Sequence, residues 1–101
     1  MAEKANTGAE TSPLRSVEVR GDEITYDAKR AANWKSFELS CVIADESASV
    51  MEKSRAIFEL IEYVTDLTKE DIVERCGGED AGAADVMAYA LEVIAGTSPK
   101  N

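Results

Sequence analysis

VEVRGDEITY, residues 17–26, decides the fold class. Val17 and Val19 alternate with Ser16, Glu18 and Arg20, and Ile24 and Tyr26 alternate with Glu23, Thr25 and Asp27. That period of two belongs to half-buried strands. Gly21 and Asp22 between them are turn residues, glycine taking positive φ without steric cost. The spacing therefore predicts a β-hairpin over residues 16–27. A lone two-stranded hairpin is marginal in water, so its apolar face has to lie on other parts of the chain.

Downstream the period changes to that of helices. From about Lys29 to Ala44, Trp34, Phe37, Cys41 and Ala44 form one apolar stripe, while Ala32, Leu39 and Ile43 fall on nearly the opposite side. The first stripe is expected to cover the hairpin and the other helices. The second then becomes a candidate protein-binding seam of Ala32, Leu39 and Ile43, unless the helix is central and buried all round. A helix over about 49–64 buries Val50, Ile57, Leu60, Ile61 and Val64, with Met51 and Phe58 on its flank and Glu52, Arg55, Glu59 and Glu62 opposite. Thr68 and Asp71 have capping-box spacing and open a helix over about 68–76 that carries Ile72, Val73 and Cys76. A last helix over about 83–95 presents Val86, Ala90 and Val93, with Gly96 expected to stop it. The expected fold class is α+β: an N-terminal two-stranded hairpin, then a mostly helical acidic domain of three or four helices. Residues 15–96 make this single domain, between an expected disordered tail over 1–14 and a flexible one over 97–101.

Length and charge bound the function. A chain of 101 residues accommodates one domain. It carries 20 acidic residues against 11 basic ones, a formal net charge of −9, and no histidine. Nucleic-acid phosphates and anionic membrane surfaces would both be repelled, so neither is expected as a partner. Without histidine the commonest general base, the Ser-His and Cys-His pairs and imidazole zinc sites are gone. No enzyme, cofactor or metal site is expected. Cys41 and Cys76 sit in apolar runs and read as small buried hydrophobes in a reducing compartment. No run is apolar enough to span a membrane, and the N-terminus lacks an export signal, which leads to the expectation of a soluble intracellular protein.

Several patterns that resemble chemistry have plainer accounts. Arg20, Gly21 and Asp22 spell an integrin-recognition tripeptide, but a tight turn wants these residues. Glu70, Asp71 and Glu74, with Glu79, Asp80 and Asp85, gather carboxylates without the alternation of a calcium loop; as helix ends they are ordinary. Gly77, Gly78 and Gly82 lack the Lys-Ser/Thr of a phosphate loop.

The hairpin from Val17 to Tyr26, the polar step to Asn33, Trp34, Phe37 and Glu38, and the acidic amphipathic helices over 51–64 and 83–95 resemble the tail assembly chaperones of long-tailed phages and prophages of Gram-positive hosts. Members of that family often carry Asp-Trp before an acidic, Leu-rich helix; here Asn33 stands in place of the Asp. The likeness covers residues 17–96. It implies a non-enzymatic protein of the host cytoplasm, absent from the mature virion. Such a protein binds the tape-measure protein, keeps it soluble during assembly, makes way for the tail-tube protein and self-associates as a homo-oligomer. It also implies a longer frameshifted product, with slippery codons expected over Ser98, Pro99 and Lys100. A different class suits the charge as well: a small acidic regulator, antitoxin-like or a DNA mimic, that binds a basic protein partner. An enzyme with a carboxylate-held metal is the third and weakest reading.

Overall fold

Leu14–Val19 (β1) pairs antiparallel with Asp22–Asp27 (β2), Val17 opposite Ile24 and Val19 opposite Asp22. Two residues, Arg20 at φ +53° and Gly21 at φ +88°, make the connection. Positive φ at both central positions is the primed turn that matches the twist of a hairpin. The turn thus lies one residue earlier than the sequence suggests, and Asp22 belongs to β2. The structure is a computed structural model that describes residues 13–99. Most of the expected N-terminal tail, residues 1–12, lies outside that range, as do Lys100 and Asn101. Pro13 and Leu14, the last two residues of that expected tail, are integrated: Leu14 starts β1, and the Pro13 carbonyl accepts from the Ala28 amide at 2.8 Å.

The hairpin leads into helices, and the fold is α+β as expected. Asp27 caps Ala28–Ala31 (α1), its carboxylate accepting from the Lys29 and Arg30 amides. Instead of running on to Ala44, the helix breaks. Asn33 has an extended backbone and caps Trp34–Ala44 (α2) by accepting from the Ser36 amide at 3.2 Å. An Asn side chain competes for backbone hydrogen bonds in helix interiors and gains most at an N-cap, which explains the interruption. Ala32 is thereby left outside α2.

Val50–Val64 (α3) opens with a capping box between Ser49 and Glu52, and Lys69–Arg75 (α4) with the box expected between Thr68 and Asp71. A single 3-10 turn, Gly78–Asp80, precedes Ala83–Thr97 (α5). Gly96 does not stop α5. A Cβ at that position would stand 2.9 Å from Val17 Cγ2, so the missing side chain lets β1 approach the helix. Thr97, expected in the flexible tail, is a buried residue of α5 whose hydroxyl donates to the Val93 carbonyl at 2.9 Å.

One apolar cluster joins these elements. Val19 and Ile24 of the hairpin meet Ile57 and Ile61 of α3, Ile72 of α4, and Tyr89, Ala90 and Val93 of α5, with Leu67 from the connection after α3. Ile61, Ile72 and Val93 are the largest fully buried side chains. An isolated bridge between Tyr26 and Thr65 ties the outer edge of β2 to the same connection.

Candidate protein-binding surface

The rotation of α2 about its own axis decides what the molecule shows to solvent. Three contacts fix it. Ser36, only 3 % exposed, donates from its hydroxyl to the Arg30 carbonyl at 2.6 Å. Asn33 Nδ2 donates to the Tyr63 hydroxyl on α3. Lys35 Nζ lies 3.6 Å from Glu59 Oε2 and 4.9 Å from the centre of the Tyr63 ring. Arg30 reinforces the junction, stacked 5.4 Å from the same ring and donating to the Tyr63 carbonyl.

At about 100° per residue, Ser36, Leu39 and Ile43 then face inward, while Phe37 and Cys41 stand within about 60° of Trp34 on the outer side. Leu39 and Ile43 are half-buried, and Ile43 packs on the core cluster. Ala32 is exposed but lies outside the helix. Trp34 is 67 % exposed, Phe37 56 %, and Cys41 and Val42 are exposed beside them. The two faces are therefore exchanged relative to the sequence expectation: the seam of Leu39 and Ile43 is turned toward the body, and the Trp34 stripe is the free one. Cys41 is likewise a surface thiol rather than a buried hydrophobe.

The sequence does carry a signal for this orientation. Glu38 and Asp45 share the helical side of Trp34, while the Leu39 side, with Ser36 and Ile43, carries no acidic residue and only Lys35 at its margin. Charged residues are seldom fully buried, so their side of an otherwise two-faced helix turns outward. Trp34 and Phe37 stack with ring centres 5.2 Å apart and planes tilted by 35°, forming one apolar plate. Glu38 stands beside it and Glu46 follows the far end of the helix, both without a hydrogen-bond or ion-pair partner among the described residues, and Asp45 is held below the usual carboxylate range by its hydrogen bonds to Ser47.

Other apolar exposure lies on α3, where Val50 and Met51 are open. Met51 and Phe58 also line a shallow groove of about 420 Å³, with Arg55, Glu59, Glu62 and Lys69 around it.

The Arg20-Gly21-Asp22 tripeptide is tied down on both sides. Arg20 Nη2 lies 2.7 Å from Glu92 Oε2, and the guanidinium sits 5.6 Å from the Tyr89 ring centre. Asp22 Oδ2 accepts from the Tyr89 hydroxyl at 2.9 Å, and the hydroxyl oxygen accepts from Arg75 Nη1 at 2.8 Å. The Arg20 hydrogen bond holds the Glu92 carboxyl below its usual range, and burial pushes the Tyr89 phenol up. These groups fasten the hairpin to α5.

Of the acidic clusters, Asp71 is committed to its capping box, and no group of three or more Cys, Asp or Glu among the described residues is placed to hold a metal ion. No helix among them is long and apolar enough to cross a membrane. Compared with protein-family models, with curated proteins and with solved structures, the chain matches none.

Proposed function

We propose that this protein is a tail assembly chaperone that holds the tape-measure protein through the outer face of α2 and keeps it soluble until the tail-tube protein takes over. The observation that carries the reading is the stacked Trp34–Phe37 pair, open to solvent on a helix whose other side is anchored to α3. Exposed aromatic plates of this kind are what amphipathic partner helices bury when they dock. A net charge of −9 keeps many copies around one client from coalescing. In this role the protein acts in the host cytoplasm without cofactor or chemistry, and copies of it line up along the client as an oligomer.

The test is co-expression with helical segments of the neighbouring tape-measure protein. The wild-type chain should keep them in the soluble fraction and co-elute with them. Phe37→Glu should lose both properties while its circular dichroism stays that of the parent. Retention of client by Phe37→Glu would remove α2 as the binding surface. Charge favours a second reading, an acidic regulator of a basic protein; in that case binding would vanish at moderate salt and be indifferent to Phe37→Glu.

A further inference from the structure

We infer that the segment docking on α2 is a basic amphipathic helix, its apolar stripe flanked by Lys or Arg, rather than a second copy of this chain. The inference rests on the reading of α2 as a docking face and adds the chemistry of its occupant. The one cation of α2, Lys35, is half-exposed and pairs with Glu59 and the Tyr63 ring of α3, away from Trp34. The other charges that the segment itself supplies to this side are negative: Glu38 within the face, and Asp45 and Glu46 at its C-terminal end, where Lys53 of α3 acts on Asp45. No basic side chain of α2 itself stands in its last turn. An apolar face with Glu38 beside its aromatic pair and Asp45 and Glu46 at its far end is complementary to a helix with basic flanks.

A second copy offers the opposite. It would bring the same carboxylates to the same rim, and it would join two bodies of charge −9 each. The charged rim also fixes ionic-strength behaviour, because exposed pairs are screened beyond about 8 Å at physiological salt while the apolar contact is not.

The chain holds a single tryptophan, and it lies in the proposed contact, so its emission reads docking directly. The experiment titrates the full chain with three synthetic Trp-free peptides that share one Leu stripe at helical spacing and differ in flanks: Lys, Gln or Glu. The expected result is a saturable blue shift of Trp34 with the Lys peptide at an affinity at least about tenfold above the Gln peptide, and no shift with the Glu peptide. A Glu38→Gln/Glu46→Gln variant should cut the Lys preference several-fold while leaving the Gln peptide unchanged. Equal binding of all three peptides would overturn the basic-rim inference while leaving α2 as a docking face. A blue shift that grows with protein concentration alone, with sedimentation showing dimers lost in Phe37→Glu, would overturn it in favour of a second copy. No shift with any peptide, at protein concentrations where the chain is monomeric, would overturn both the inference and the docking reading beneath it.

Discussion

The Tyr89 hydroxyl donates to Asp22 Oδ2 at 2.9 Å while accepting from Arg75 Nη1 at 2.8 Å. One phenol oxygen thus joins the hairpin, α4 and α5, at a residue only 2 % exposed. Removing the oxygen deletes both hydrogen bonds and leaves Asp22 and Arg75 as a partly exposed ion pair at 3.8 Å. Tyr89→Phe should therefore lower the unfolding free energy by about 1 kcal/mol, the usual net worth of a lost hydrogen bond when its partners keep each other. Urea denaturation followed by far-UV circular dichroism measures it.

The same phenol sets an alkaline limit. Burial raises its folded-state pKa above the unfolded value of about 10. The folded state holds the proton more tightly, so the contribution is fully present below pH about 10 and is lost as pH rises from there through the folded pKa. Melting temperature should fall over that window in the parent and fall less in Tyr89→Phe.

On the acid side the sign reverses. The Arg20 hydrogen bond holds Glu92 below its unfolded pKa, so its contribution is present above about pH 4.3 and disappears as pH falls through the folded value. Both partners are exposed, and the effect is correspondingly modest. Glu92→Gln should be slightly less stable than the parent at neutral pH, and the difference should close under acid conditions in paired thermal melts.

Gly96 and Val17 form a steric pair. An alanine at 96 gains up to about 1 kcal/mol in helix propensity but drives its Cβ into the Val17 methyl group at 2.9 Å, and a branched side chain has little room to yield. Overpacking of this kind costs about 1–3 kcal/mol, so Gly96→Ala should be net destabilising by about 1 kcal/mol. Placing Val17→Ala in the same chain should relieve the clash. A double-mutant cycle by chemical denaturation should then give a coupling of at least about 1 kcal/mol, whereas additive effects would mean that β1 and α5 do not meet there.

The two sides of α2 should respond in opposite ways to a charge. Ile43→Glu places a carboxylate against the core and should cost about 2–4 kcal/mol. Phe37→Glu changes an exposed position and should stay within about 0.5 kcal/mol of the parent. Thermal melts of the pair distinguish the two orientations of the helix without any partner present.

Period and cap chemistry carry most of what is legible in the sequence. The alternation around Val17 and Ile24 and the stripe of Ile57, Leu60, Ile61 and Val64 are local patterns with a single apolar side, so they fix their own orientation. The box at Thr68 and Asp71 is equally local. The apolar pattern of α2 does not orient it, because it is apolar on both sides; only the carboxylates Glu38 and Asp45 mark its outer side, and contacts distant in sequence, chiefly Lys35 with Glu59 and Asn33 with Tyr63, fix its rotation. The break at Asn33 compounds this by removing Ala32 from the stripe that its spacing suggests. Gly96 misleads for a related reason: a glycine near a helix end reads as a stop unless the strand pressing on it is known.

The bridge between Tyr26 and Thr65 bears on how crowded copies behave. A foreign strand pairing along the full length of β2 would run into the chain segment leaving α3 at Tyr26, so that end of the edge is blocked to a second hairpin. Crowded copies of the chain are thereby hindered from joining their sheets at that end of β2.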